Sequence, residues 1–315
     1  MILTVKDVTR QFLHHCRYEK NLSDKSLKAY QTDLSQFINF IDNNYHVICV
    51  TAIDKNMLRE YIKALSLKSK PKTIKRKIAT LKAFFNHIEF EDIIINNPFR
   101  KLRIKIKEGK QLPKTIALPK IIRLFKHVYD IKNDMRCDQC YSFKAAIRDL
   151  AVLELLFATG VRVAELCNLR KDDVDFLRGS LKVIGKENKE RIIPVCNAGS
   201  IKAVRAYFEL FKSEIFKTRY FFVNRLQGRL SEQSVRFMIR KYARAIKMDE
   251  RITPHMFRHS IATLLLENGV DIRYIQTFLG HSSITTTQIY VQVNEEAQRK
   301  VILEKHPRRL FMQDE

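Results

Sequence analysis

Helical periodicity in the first hundred residues constrains the fold of this chain more than any other feature of its sequence. Apolar residues recur every three or four positions in four segments between Val5 and Phe90, as on one face of an α-helix. The second segment opens on Ser23, a residue type that caps helix N-termini. Asn97-Pro98 then supplies a turn signal. The pattern predicts a four-helix N-terminal domain over residues 1–105, without a convincing strand.

The rest of the chain mixes helical and strand patterns. The basic stretch 99–114, with Pro98 before it and Pro113 near its end, predicts an interdomain linker, which we place at residues 106–115, and leaves an edge strand as the alternative. Two β-branched runs around a polar turn predict a hairpin over 180–195. Helices are predicted at 119–130, 143–158, 163–169, 200–216, 231–246, 256–268 and 271–279. We therefore expect a mainly α protein with a small β-sheet, in which a mixed α+β domain over 116–315 follows the helical one.

The segment between Tyr129 and Phe143 is predicted to be a loop insertion. It contains Cys137 and Cys140 in the sequence CDQC, and such a pair is half of a zinc site. A second pair at zinc-ribbon spacing is missing from the chain. We expect free thiols here, and neither a metal nor another cofactor.

The excess of positive charge indicates which class of partner this chain binds. Lys and Arg number 58 against 34 Asp and Glu, and the formal net charge of +24 is spread over both halves. Because each cation set against a phosphate releases a counterion, the excess favours nucleic acid over a basic protein without such a partner. No apolar run approaches the roughly 18 residues of a membrane span, and the first residues lack a signal-peptide layout. We expect a cytoplasmic, nucleoid-associated protein that does not contact membranes.

Two motifs place basic residues where a phosphate is easily bound, although each signal is weak alone. In ATGVRVAEL, Gly160 ends one helix and Arg162 opens the next, and a helix N-terminus favours an anion. Lys186 lies at the predicted hairpin tip, an exposed position where a lysine is common in any protein. Both residues are equally compatible with a solvated surface.

Two further motifs follow toward the C-terminus. In TPHMFRHSIAT, His255 and Arg258 are three residues apart and project from one helix face. In GHSSITTTQIYVQV, His281 follows a glycine that ends a helix, and Tyr290 lies nine residues later. Read alone, Tyr290 is more typical of core packing than of catalysis.

Taken in chain order, these motifs resemble those of the tyrosine recombinase (phage integrase) family, most closely its compact Xer-like members. The matching segments are ATGVRVAEL, VIGKENKERIIPV, TPHMFRHSIAT and IQTFLGHSSITTTQIY, and the resemblance covers essentially the whole chain. It implies a SAM-like core-binding domain and a catalytic domain that clasp double-stranded DNA. It also implies site-specific recombination by a tetramer on two DNA sites, formed by this chain alone or with a related recombinase. A tail over about 295–315 is implied to dock on a neighbouring protomer, with folding onto its own domain as the alternative.

The resemblance assigns the chemistry to Arg162, Lys186, His255, Arg258, His281 and Tyr290. Tyr290 would attack the phosphodiester and form a covalent 3′-phosphotyrosyl intermediate, so that religation needs neither metal nor ATP. The two arginines and His281 would stabilise the charge that builds on phosphate oxygens. His255 would accept the phenol proton, and Lys186 would protonate the departing 5′-oxygen. Glu165, one turn after the first arginine, would orient an active-site cation.

The basic faces of the second and fourth helices and the linker are expected to contact phosphates. The residues concerned are Lys28, Lys72, Lys75, Arg76, Arg103 and Lys105, and Lys77 and Lys82 are predicted to lie on the same exposed face. Two alternatives remain at this stage. A type IB topoisomerase uses similar residues, whereas a catalytically silent DNA-binding accessory factor would lack a tyrosine or an arginine that this chain retains.

Overall fold

The computed structural model describes residues 4–47, 49–107, 114–134, 140–185, 189–248, 251–280, 299 and 302–308. The chain divides into two units, Met1–Gln111 and Leu112–Glu315, and each has its own hydrophobic core. Helices dominate both units, and the described ranges contain one three-stranded sheet, which confirms the predicted fold class. Within these ranges, no helix is both long and apolar enough to cross a bilayer.

Four helices form the first unit, as predicted: α1 (Val5–Tyr18), α2 (Asp24–Tyr45), α3 (Lys55–Lys68) and α4 (Pro71–Phe90). Ser23 caps α2, because its hydroxyl accepts a hydrogen bond from the Ser26 backbone N–H at 3.4 Å. The core is rich in aromatic side chains that meet edge to face, and Phe12, Phe37, Phe84 and Phe85 are fully buried.

A buried carboxylate joins α2 to α4. Asp33 is fully buried, and its oxygens accept hydrogen bonds from Lys77 Nζ at 3.0 Å and Thr80 Oγ1 at 3.1 Å, and also from Arg76. The prediction that Lys77 lies on the exposed face is therefore wrong. Its ammonium is turned inward because a buried carboxylate needs a partner.

The basic stretch after α4 packs on the first unit up to residue 107. Leu102, Ile104 and Ile106 contact its core, while Arg103 and Lys105 between them are exposed. Residues 102–107 have no regular secondary structure, so the alternative of an edge strand is not realised there.

The second unit is built around a buried helix. It contains α5 (Leu118–Asp134), α6 (Tyr141–Thr159), α7 (Val163–Asn168), α8 (Ala198–Leu210), α9 (Lys212–Thr218), α10 (Glu232–Ala245), α11 (Pro254–Glu267) and α12 (Ile272–Leu279). Helix α6 is buried on all sides over most of its length and packs against α5, α8 and α11. Strands β1 (Val174–Asp175), β2 (Ser180–Ile184) and β3 (Glu190–Pro194) form an antiparallel sheet in that order, which contains the predicted hairpin.

Two predictions for the second unit are wrong. The predicted loop insertion between Tyr129 and Phe143 is helical at both ends, because α5 continues to Asp134 and α6 begins at Tyr141. Residues 135–139, with Cys137, lie outside the described residues. The single helix over 200–216 is two helices that break at Phe211, whose backbone leaves the helical region and whose ring is buried against Tyr207. Neither glycine nor proline marks this break.

The described part of the C-terminal tail lies on its own unit. Ile302 is fully buried, and Arg308 forms a buried ion pair with Glu154, with Nη2 and Oε1 2.8 Å apart. Tyr129 and Ser200 also donate hydrogen bonds to Glu154. Residues 302–308 therefore follow the alternative in which the tail folds back, and docking on a neighbouring protomer stays a prediction.

Candidate active site

The site begins where two helices end close to each other. Gly160 follows the last residue of α6 and Gly280 follows the last residue of α12, and both glycines have left-handed backbone angles, with φ of 59° and 65°. A Cβ placed on Gly160 would lie only 2.5 Å from Leu279 Cδ2. Glycine is required at this position for its conformation and for the close approach of the two helix ends.

Arg258 joins these two helix ends. This residue of α11 is 4% exposed, and it donates from Nη1 to Gly160 O at 2.7 Å and from Nη2 to Leu279 O. Burial and the nearby charge of Arg162 lower the pKa of Arg258 to about 10. It therefore remains a cation at neutral pH, held by the carbonyl groups that a helix C-terminus leaves free.

Arg162 lies beside it as the N-cap residue, immediately before α7. Its Nη1 donates to Glu165 Oε1 at 2.7 Å and its Nη2 to Gly280 O at 3.0 Å, while Glu165 Oε2 accepts from the Arg162 backbone N–H at 2.9 Å. Because a guanidinium has five N–H donors, these contacts orient it and leave donors for an anion. The side chain is 26% exposed, so that solvent or a ligand can reach it.

Glu165 has a second arginine partner that the sequence reasoning missed. Arg191 on β3 donates from Nη1 to Oε1 at 3.1 Å and from Nη2 to Oε2 at 2.8 Å. Burial alone would raise the pKa of Glu165, but the hydrogen bonds from Arg191 and Arg162 outweigh it and hold this pKa below its ordinary value. The sequence signal that could have placed Arg191 on the inward face was the two-residue period of the strand ERIIPV. This signal was ambiguous, because apolar residues occupy both faces of the strand.

His255 lies at the edge of the cluster, in the first turn of α11, and is exposed. Partial desolvation of its ring and the charges of Arg236, Arg258 and Arg162 lower the pKa of His255 below its ordinary value. The ring is therefore neutral near pH 7 and able to accept a proton.

The structure thus brings together four of the predicted site residues, Arg162, Glu165, His255 and Arg258. Lys186, His281 and Tyr290 lie outside the described residues. The residues that precede Lys186 and His281, Gly185 and Gly280, belong to the cluster. A Cβ on Gly185 would lie 3.9 Å from Glu165 Oε1, and Gly280 O is bonded to Arg162. The predicted phosphate contacts are exposed on the first unit, namely Lys28, Lys72, Lys75, Arg76, Arg103 and Lys105.

The cluster is suited to binding an anion. Three guanidinium groups surround one carboxylate, so the cluster carries a net positive charge in a partly buried site where electrostatic interactions are strong. A tetrahedral phosphate bound at Arg162 and Arg258 would be held by N–H donors that are already oriented. In the part of the chain that the structure describes, no group of three or more His, Cys, Asp or Glu side chains could hold a metal ion.

Comparison with known proteins agrees with this geometry. Residues 124–297 match the Phage integrase family, and residues 9–89 match the phage integrase N-terminal SAM-like domain. A tyrosine recombinase of Agathobacter rectalis is 43% identical over 95% of this chain and 96% of its own length. Tyrosine recombinase XerC of Thermodesulfovibrio yellowstonii is 35% identical over 94% of this chain and 95% of its own.

A solved structure shares the fold. The lambda integrase tetramer bound to a Holliday junction aligns with a TM-score of 0.66 and 17% identity, over 90% of this chain and 76% of that one. The match to the family covers more than half of the chain, and the identity to whole-length relatives exceeds 30%. This chain therefore belongs to the phage integrase family of tyrosine recombinases.

Proposed function

We propose that this protein is a site-specific DNA recombinase that cuts and rejoins strands through a covalent 3′-phosphotyrosyl intermediate. The observation that carries the proposal is the convergence of Arg162 and Arg258 on the end of α12. Their guanidinium groups bond to Gly280 O and Leu279 O, the last carbonyls before the segment that contains His281 and Tyr290. A phosphate held by the two arginines is therefore close to the start of that segment.

In the proposed cleavage step, the Tyr290 oxygen attacks the phosphorus of the scissile phosphodiester. The bond from this oxygen to phosphorus forms, and the bond from phosphorus to the 5′-oxygen breaks. The phenol proton passes to His255, which is neutral near pH 7 because its pKa is lowered. Arg162, Arg258 and His281 stabilise the charge on the non-bridging oxygens, and such fixed cations are usually the largest electrostatic contribution.

The departing 5′-oxygen takes a proton from Lys186 and becomes a free hydroxyl. In the reverse step, a 5′-hydroxyl attacks the phosphotyrosine and its proton returns to Lys186, while the departing tyrosine oxygen takes back the proton from His255. The phosphotyrosine bond conserves the energy of the broken phosphodiester, so the cycle needs no ATP. All of the charge stabilisation in this scheme comes from side chains, so it needs no metal either.

The first unit is proposed to be the core-binding domain, residues 1–105, joined by the linker 106–115 to the catalytic domain, 116–315. Its exposed basic residues Lys28, Lys72, Lys75, Arg76, Arg103 and Lys105 contact phosphates, which position the protein without reading sequence. Four protomers act on two DNA sites, with the related lambda integrase tetramer on a Holliday junction as the precedent. The protein acts on the nucleoid in the cytoplasm.

The test begins with a binding site, which can be selected from a library of random duplexes. A nicked duplex that carries the selected site traps the intermediate, because the short cleaved strand diffuses away. Wild-type protein should form a covalent adduct that survives denaturing electrophoresis. Tyr290→Phe should form no adduct and still bind the duplex, whereas Tyr274→Phe, a matched variant on α12, should behave as wild type.

The adduct assay and a plasmid relaxation assay together separate the alternatives. A type IB topoisomerase would relax supercoiled plasmids that lack the selected site, and an accessory factor would bind DNA without any adduct. An adduct from Tyr290→Phe would show that another residue is the nucleophile. The proposal requires the adduct, its dependence on the selected site, and its loss with the tyrosine hydroxyl.

A further inference from the structure

Arg191 occupies the meeting point of three segments of the site. Its guanidinium forks onto both oxygens of Glu165, at 3.1 and 2.8 Å. A Cβ on Gly280 would lie 2.9 Å from Arg191 Cζ, so the guanidinium lies directly against that glycine. A Cβ on Gly185 would lie 3.5 Å from Arg191 Nη1. One side chain therefore contacts the acid that orients Arg162 and the glycines that precede the other catalytic segments.

The distal half of the β2–β3 hairpin needs an anchor. Strand β1 pairs with β2 only at Ser180 and Leu181, whereas the β2–β3 ladder continues to Ile184 and Glu190. A two-stranded ribbon is marginally stable by itself. Ile184 is 49% exposed and the Glu190 side chain 56% exposed, so the last rung of the ladder is not held by the core.

Arg191 supplies that anchor on the inward face. It pairs in register with Val183, which is buried, and its own side chain is 16% exposed. Its Nε–H is also buried, and it has no acceptor within the described ranges. The fork to Glu165 thus ties the end of the hairpin to α7 and to Arg162.

We infer that Arg191 is a positioning residue, which holds the β2–β3 hairpin against Glu165 and thereby places Lys186 at the departing 5′-oxygen. Lys186 follows Gly185, whose N–H bonds to Lys189 O at 2.8 Å at the base of the turn. The inference rests on the proposed function, because it assigns Arg191 a role in the protonation step of that reaction. Arg191 touches neither the phosphate nor the nucleophile in this scheme.

The prediction concerns the leaving group. A substrate in which sulfur replaces the bridging 5′-oxygen of the scissile phosphate forms the same phosphotyrosine, and the bond from phosphorus to sulfur breaks. The thiolate that departs needs no proton, because a thiol ionises near pH 8.5 and an alcohol at far higher pH. Loss or misplacement of Lys186 should therefore slow cleavage of the oxygen substrate and leave the rate of cleavage of the sulfur substrate unchanged.

The experiment compares the initial rate of adduct formation on both nicked duplexes at saturating protein. Arg191→Met and Lys186→Ala should each be slowed about 100-fold on the oxygen substrate, a typical contribution of a general acid, and should return to within about threefold of wild type on the sulfur substrate. Arg162→Ala should stay slow on both. Arg178→Met, an arginine 82% exposed between β1 and β2, is the matched control and should keep the wild-type rate.

A second variant distinguishes the loss of the contact with Glu165 from a folding defect. Arg191→Lys keeps the charge and most of the volume but loses the fork, so it should be slowed about tenfold and rescued in the same way. Rescue of Lys186→Ala without rescue of either Arg191 variant would overturn the inference and leave the proposed function intact. Failure of the wild-type protein to form an adduct on either substrate would refute the proposed function, and the inference with it.

Discussion

Replacing Gly160 with alanine tests how closely the ends of α6 and α12 must approach. The added Cβ would lie 2.5 Å from Leu279 Cδ2, and Leu279 is fully buried, so this side chain must move within a packed core. Overpacking of this kind costs about 1–3 kcal/mol. The left-handed backbone of Gly160, with φ of 59°, adds about 1–2 kcal/mol for any residue with a Cβ.

Gly269→Ala is the matched control, because it isolates the steric contribution. Gly269 also follows a helix and has φ of 78°, but a Cβ there would meet nothing within 4 Å. The backbone cost and the gain from a stiffer unfolded chain are therefore common to both variants. The free energy of unfolding of Gly160→Ala should be lower than that of Gly269→Ala by the overpacking cost alone, about 1–3 kcal/mol.

Urea unfolding followed by circular dichroism measures this difference, and the choice of signal matters because the chain has no tryptophan. Gly160→Ala should also slow adduct formation, since Gly160 O and Leu279 O both hold Arg258. Gly269→Ala should keep the wild-type rate. Equal losses of stability in the two variants would refute the argument that a tight contact between the helix ends builds the site.

Three other predictions test charged and titrating groups. Glu165→Gln should slow adduct formation about 100-fold, because a catalytic group that is misplaced by about an ångström loses about that much rate. Glu190→Gln, at an exposed position, should keep the wild-type rate. Equal rates of adduct formation for these two variants would contradict the role of the Glu165 carboxylate. Asp33→Asn should lower the free energy of unfolding in urea by about 3–5 kcal/mol, since it breaks a buried ion pair. The exposed Asp42→Asn on the same helix should change it by less than about 0.5 kcal/mol, and a similar change in both would show that the buried network is not stabilising. Burial lowers the pKa of His306 to about 4, so the folded state binds fewer protons than the unfolded state below about pH 6.5. The free energy of unfolding should therefore fall as pH drops from about 6.5 toward 4, and an unchanged slope in His306→Gln would contradict this.

The helices of the first unit could be predicted because their apolar spacing is a local property. Phe37, Phe84 and Phe85 are buried where the periodicity places them. Lys77 was misplaced because periodicity records polarity and not partners. Its burial depends on Asp33, which lies 44 residues earlier in the chain.

The candidate site could be predicted only as a set of residues. Arg162, His255 and Arg258 follow from motifs, but Arg258 is anchored on Gly160 and Leu279, which lie 98 and 21 residues away. Spacing placed His255 and Arg258 on one helix face, yet the arginine is buried and the histidine exposed. Arg258 is bonded to the ends of α6 and α12, whereas His255 lies in the first turn of α11.

Arg191 shows why the remainder could not be predicted. Ile192 and Ile193 are both apolar, and so the strand pattern does not reveal which face of β3 is buried. The inward direction of Arg191 depends on the pairing of β3 with Val183, and its role depends on Glu165, 26 residues away. Such a contact is tertiary, and only the fold reveals it.

The central claim is that Tyr290 forms the covalent bond to DNA. Nicked duplex carrying the selected site would be incubated with wild-type protein, digested with protease and nuclease, and the modified peptide sequenced by mass spectrometry. We predict a nucleotide attached through its 3′-phosphate to Tyr290, and a free 5′-hydroxyl on the released strand. A nucleotide on any other residue, or a 5′-phosphate attached to the protein, would contradict the account.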